Sequence, residues 1–274
     1  MNEGITFHTF RYITYHGGAN FITFGVHRLY FSFSLLSSLL FLTFYKNLFG
    51  NRVLKYFLAI VFTSVILLLK SKIAIILLGT ILLYRSVQVF KSGGVKERVI
   101  AVLMLILVFC GAIYLLRYRL NQSYQQIHSF NESKEGSLSE RFQYNKCAFE
   151  LIKESPLFGY GVGDIGVVMK AKLAKYKFTY LLERGVFDPH NEFLKAYIGM
   201  GIIGFMLFMG IFASFYYHLN FYKDRLILFY ISFVFIICFV EPFLSRQSGI
   251  LQTFFFTGLF LSENSKLIGN EGYS

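Results

Sequence analysis

Seven stretches of this chain are apolar enough to be read as membrane-spanning helices, at approximately 29–45, 53–69, 73–90, 99–116, 195–217, 226–243 and 248–262. A helix needs about 20 apolar residues to cross a bilayer, with about 17 as the lower end. Several of these runs sit at that lower end, and the last is the weakest. In hydrocarbon every backbone N–H and C=O must find a partner within the protein, which leaves helices or a closed barrel. Runs of this length select helices. Composition closes off the soluble alternative. Hydrophobic residues make up 55% of the chain, with 34 Phe and 19 Tyr, and charged residues only 15%; an average soluble domain carries about 25% charged residues. The expected fold class is an all-α integral membrane protein. It has about seven transmembrane helices and one long extracytoplasmic loop that contains an amphipathic helix.

The net charge of +12 would suggest nucleic acid in a soluble protein. Here the basic residues lie mostly between the apolar runs, where they set topology. Lys46, Arg52 and Lys55 follow the first run, Arg85, Lys91, Lys96 and Arg98 the third, and Lys223 and Arg225 the fifth. Those gaps are assigned to the cytoplasm. The opposite short gaps hold only Lys70 and Lys72, then Arg246. The N-terminus is therefore expected outside and the C-terminal tail inside. The expected organisation is one membrane domain, with N-terminal helices in 1–116, an extracytoplasmic loop in 117–194 and C-terminal helices in 195–274. The first 20 residues lack the apolar core of a cleavable signal. Cys110, Cys147 and Cys238 show no metal spacing and read as small buried apolar residues.

Within the long segment, residues 131–137 (NESKEGS) resemble a linker. Ser139 is placed to cap a helix running to about Glu154, with Leu138, Phe142, Phe149 and Ile152 on an apolar face. Ser155 and Pro156 stop it. Residues 156–166 (PLFGYGVGDIG) form a glycine-rich turn region. Its Gly159, Gly161 and Gly163 are not a nucleotide loop, because no strand precedes them and no Gly-Lys-Ser/Thr follows. They read instead as backbone needing positive φ and close approach.

Five polar clusters fall on the assigned outer side. Lys70 and Lys72 bracket a tight turn, where they either snorkel to the interface or meet phosphate. Arg141 lies on the loop helix; its planar fork suits a pyrophosphate, although an arginine on such a helix is more often simply solvated. His190, in Asp188-Pro189-His190-Asn191, can accept a hydroxyl proton near neutral pH, or be structural. Asn191 either orients a sugar or caps the next helix. Glu241 and Arg246 flank Pro242, as an ion pair fixing a helix end or as substrate contacts. His27 and Arg28 open the first run.

The stretch from Arg141 to Phe208 resembles the O-antigen ligase and O-antigen polymerase family. The motifs are SERFQYNKCAFELIKESPLFGYGVGD and then PHNEFLKAYIGMGIIGFMLF. They give an arginine helix, a proline-glycine turn, a histidine-asparagine pair and a glycine-rich helix, in that order. GVHRLYFS and the KSK turn look like earlier outer-face motifs of the family, and EPFLSRQSG like its late one. Two departures stand out. Family members usually carry more spanning helices than the seven expected here, so the upstream helices look missing, or the chain is a short member. The turn carries Lys70 and Lys72 where the family often has arginine, and lysine binds phosphate as a point charge rather than a fork.

The resemblance implies a metal-independent glycosyltransferase without a cofactor, in the bacterial inner membrane, acting on the periplasmic face. Its donor would be a glycan on undecaprenyl pyrophosphate. Its acceptor would be lipid A-core for a ligase, or another lipid-linked glycan for a polymerase. His190 and Arg141 would be catalytic. Lys70, Lys72, His27, Arg28, Asn191, Glu241 and Arg246 would bind substrate. No nucleic acid is implied. A lipid-linked sugar transporter would use similar basic residues, but it normally shows repeated halves and midplane charges, and neither is visible. An inactive fragment or scaffold of such a transferase is the other alternative.

Overall fold

A computed structural model of the chain describes residues 27–45, 52–128, 137–218 and 225–271. Lys46, Lys223, the first 20 residues and all but the last residue of the linker-like stretch 131–137 lie outside the described residues. Among the described residues the fold is all-helical. Three helices are long and apolar enough to cross a membrane: Lys72–Ser92, Val95–Tyr114 and Glu192–Tyr217. Arg28–Phe44, Val53–Leu68 and Arg225–Cys238 are shorter apolar helices. The run expected at 226–243 ends early because Pro242 follows and the chain tightens into a 3-10 turn at Phe243–Ser245. The chain forms two compact units, 1–118 and 119–274.

In the first unit, α1 (Arg28–Phe44), α2 (Arg52–Leu68) and α3 (Lys72–Ser92) pack together. Phe33, Leu36 and Leu40 of α1 meet a core that includes Ile66, Leu77 and Leu78. Ser32 and Ser37 are fully buried on α1, and their hydroxyls donate to the carbonyls of Arg28 and Phe33 at 2.7 and 2.9 Å. Turning each hydroxyl back on its own helix lets the helices approach without an unsatisfied polar group. Lys55, at the head of α2, donates to the Tyr45 carbonyl just past the end of α1 at 2.9 Å, and the tight turn after α2 reverses the chain again, so α1 and α3 run parallel, with Phe44 stacked on Tyr84 at 5.2 Å. Lys70 makes the tight turn between α2 and α3 with φ of 51°.

α4 (Val95–His128) has 34 residues, and the first unit ends within it. The run expected at 99–116 thus continues as helix into the segment read as a loop. Leu103, Leu107 and Phe109 are exposed along it, as is Cys110. Cys110 is therefore not the buried residue expected; it lies on an apolar surface suited to lipid.

The second unit begins with α5 (Ser137–Glu154), followed by α6 (Ile165–Lys175) and α7 (Thr179–Arg184). Tyr144, Cys147, Ala148 and Leu151 of α5 bury against Met169, Leu173, Leu181 and Ile198. The buried stripe differs from the expected one: Phe142 and Phe149 are exposed, Ile152 packs against the core, and the Leu138 side chain lies outside what is described. The smaller residues won this face because they let α6 approach closely. Ser139 does not cap α5 either. It is buried inside the first turn and accepts a hydrogen bond from Gln143 at 3.1 Å. Burial pushes the Cys147 thiol up to about 11, so it stays protonated and unreactive near neutral pH. Lys172 is buried on α6 and pairs with Glu154 and, at 3.7 Å, Glu150, which locks α6 to the end of α5.

α8 (Glu192–His218) is not straight. Gly201 holds φ 63° and ψ −168°, a region open essentially to glycine alone. The Phe193 ring lies 6.0 Å from Phe208 and 6.4 Å from Phe212. A straight helix would carry Phe208 roughly 20 Å beyond Phe193. The span expected at 195–217 is thus two arms, 192–200 and 202–218, folded toward each other. Its bend is stitched to the glycine-rich turn. The N–H groups of Tyr160 and Gly161 donate to the carbonyls of Ile198 and Gly199, both at 2.9 Å, and Ile202 N–H donates to the Pro156 carbonyl at 2.8 Å. These bonds use the groups that the break releases. Gly159 and Gly161 hold the expected positive φ, 69° and 94°; Gly163 does not. A Cβ on Gly159 would stand 2.5 Å from the Ile198 carbonyl oxygen. α9 (Arg225–Cys238) and α10 (Gln247–Glu271) complete the unit, with Tyr230 donating to the Gln252 carbonyl at 2.9 Å.

Candidate active site

The second unit brings together residues from three separated parts of the sequence. α5 carries Arg141, the loop before α8 carries His190, and the turn between α9 and α10 carries Glu241 and Arg246. Arg141 donates from one terminal nitrogen to the Val240 carbonyl at 3.2 Å, and the residue is otherwise exposed. This bond ties α5 to the end of α9, next to Glu241. Glu241 stands between Arg246 and His190. One oxygen lies 3.4 Å from Arg246 Nε and the other 3.7 Å from His190 Nδ1. The second distance is too long for a hydrogen bond, but it places the carboxylate on the Nδ1 side of the ring.

The loop that presents His190 is built by its own neighbours. His190 has φ of 50°, uncommon for a residue with a side chain. Asp188 holds it there: one carboxylate oxygen accepts from the His190 N–H at 2.9 Å, and the other pairs with Lys195 at 3.0 Å. Asn191 caps α8, its side-chain oxygen accepting from the N–H groups of Phe193 and Leu194 at 2.9 and 3.1 Å. Of its two expected roles, that oxygen serves the helix.

Two contributors were not singled out from the sequence. Tyr144 places its ring edge-on to His190, centroids 5.3 Å apart, and donates its hydroxyl to the Val186 carbonyl at 2.6 Å. Burial pushes its phenol up to about 12, so it remains a donor throughout neutral pH. Glu192 is 5% exposed and accepts from the N–H groups of Leu244 and Ser245 at 2.8 and 3.1 Å. It clamps the turn that carries Glu241 and Arg246 onto the head of α8. A signal for it existed: a carboxylate opening an apolar membrane helix cannot face lipid and must find donors.

Tyr144→Phe is expected to lose the bond to Val186 and loosen the histidine loop. One such bond is worth about 1 kcal/mol, which converts to a fall in turnover of about 5-fold. Steady-state kinetics should show the fall in kcat with the donor KM unchanged. A KM effect alone would remove Tyr144 from this role.

Of the other expected site residues, His27, Arg28, Lys70 and Lys72 belong to the first unit. His27 precedes α1 and meets the Tyr30 ring edge-on at 5.9 Å. Arg28 and Lys72 are the first residues of the parallel helices α1 and α3, so they share one end of that unit with Lys70.

No curated protein and no solved structure matches the chain. A family model described as O-antigen ligase matches residues 57–209. The match covers more than half of the chain and takes in Arg141, the stitched glycine turn, His190 and the bend of α8. The chain therefore belongs to the O-antigen ligase family, membrane proteins of the ligase and polymerase type of glycan transfer.

Proposed function

We propose that this protein transfers a glycan from undecaprenyl pyrophosphate to a sugar hydroxyl during surface polysaccharide assembly, on the extracytoplasmic face of the bacterial inner membrane. The observation that supports this most is the convergence of Arg141, His190, Glu241 and Arg246, drawn from three elements, beside membrane helices. Arg141 and Arg246 hold the pyrophosphate and stabilise the charge it gains on leaving. His190 Nε2 takes the proton from the acceptor hydroxyl. That oxygen forms the new bond to the anomeric carbon while the bond to the pyrophosphate breaks. Attack from the opposite face inverts the anomeric centre. Glu241, on the Nδ1 side of His190, favours the tautomer that leaves Nε2 as the acceptor, and its other oxygen faces Arg246, so base and leaving-group site share one carboxylate. No metal takes part in this reading. The polymerase acceptor, another lipid-linked glycan, is preferred to lipid A-core.

The test is complementation of a strain lacking its own enzyme. His190→Ala is expected to abolish polymerised or ligated glycan at normal protein levels, since general-base loss costs about 10²–10⁴-fold. Glycan of normal amount and length from that variant would overturn the assignment of the base.

A further inference from the structure

The stitched turn exposes the wrong residues for a loop in water. Leu157, Phe158, Val162 and Val167 are 57%, 74%, 63% and 68% exposed. Residues 156–169 contain a single charge, Asp164, and are bracketed by Lys153 and Glu154 on one side and Lys170 and Lys172 on the other. Exposed apolar side chains collected in one segment mark a surface that meets something apolar.

The position of the segment says what covers it. Its backbone bonds to Ile198 and Gly199 at the end of the shorter arm of α8 and to Ile202 at the head of the longer one. Beyond the bend, that arm exposes Ile203, Met206 and Leu207, the face a crossing helix offers to lipid. The arm 202–218 is about 25 Å long at the helical rise, and carries the exposed Tyr216 and Tyr217 near its end, residues suited to an interface. The hydrocarbon core is about 30 Å thick. An arm of that length crosses only if the turn at its head sits at the edge of the hydrocarbon. Irregular backbone is tolerated there because the broken helix satisfies its N–H and C=O groups.

We propose that residues 156–167 form a membrane-inserting turn, with Leu157, Phe158, Val162 and Val167 seated in the acyl region of the bilayer beside the head of α8. The occupant of this surface is bilayer lipid. Asp164 remains at the headgroup level and limits the depth. The proposal needs only that α8 crosses a membrane, and holds whichever chemistry the site performs.

The chain contains no tryptophan, so a single introduced one reports its own surroundings. Phe158→Trp replaces one exposed aromatic with another. In proteoliposomes, its emission is expected to be blue-shifted and quenched several-fold more strongly by lipids brominated along the acyl chain than by aqueous iodide. Water-like emission quenched by iodide and not by brominated lipid would overturn the proposal. Val162→Trp decides in the same way if the first variant does not accumulate. The reading uses no activity, so its failure leaves the proposed function standing, and loss of activity leaves it untouched.

Discussion

Arg141→Ala is expected to lower glycan transfer by about 10²–10³-fold, the usual cost of removing a group that stabilises developing negative charge. The protein itself should accumulate and resist heat almost normally. Arg141 is exposed, and the structure gives it one hydrogen bond, to the Val240 carbonyl at 3.2 Å; an exposed bond of that kind contributes about 1 kcal/mol or less. A large activity loss with a small stability loss separates a substrate role from a structural one. Arg141→Lys sharpens the test. Lysine keeps the charge but not the planar fork, so a pyrophosphate-binding role predicts partial activity, with weakened donor binding. Full activity in the alanine variant, measured in membranes with matched protein levels, would remove Arg141 from the site.

Gly201→Ala should act in the opposite way, weakening the fold of the second unit rather than the chemistry. The backbone there lies where only glycine is comfortable, and forcing another residue into it costs about 1–3 kcal/mol. A Cβ would also stand 2.2 Å from the Leu157 carbonyl oxygen, so the turn must move and its three bonds to α8 with it. Each of those contributes about 1 kcal/mol net. The total, several kcal/mol, is a large part of a typical stability of about 5–15 kcal/mol. A drop of roughly 10 °C in the unfolding midpoint is expected in detergent. Gly163→Ala in the same turn is the control, because nothing lies within 4 Å of its Cβ position. Equal midpoints for both variants would mean that the bend is not held as described.

How far the sequence reveals this arrangement depends on the kind of information each part needs. Membrane class and helix positions follow from apolar runs, a local property, so α1, α2 and α3 fall close to their expected places. The positive φ of Gly159 and Gly161 was also legible, because glycines clustered after a proline demand an unusual backbone. The bend at Gly201 was not. IGMGIIG reads equally well as a small-residue face for helix packing, and only its hydrogen bonds to a turn some 40 residues earlier show a break. The same limit explains α5. Phe142 and Phe149 are apolar by type, yet the close approach of α6 selects Cys147 and Ala148. His190, Glu241 and Arg246 were visible as polar residues near the ends of apolar runs and Arg141 as an arginine on the loop helix, and the family resemblance ordered them. Tyr144 was not, since it looks like any core aromatic; Glu192 carried a signal as a carboxylate opening an apolar membrane helix, but it also looks like an ordinary acidic residue at a helix start.

The most direct measurement reconstitutes the purified chain in liposomes with an undecaprenyl-pyrophosphate-linked oligosaccharide and no added metal, and follows release of undecaprenyl pyrophosphate together with glycan length. A ladder of longer lipid-linked glycans, matched by released carrier and lost in Arg141→Ala, is the predicted result. Carrier release that persists unchanged in both Arg141→Ala and His190→Ala would contradict the account, because the chemistry would then lie away from the site these residues form.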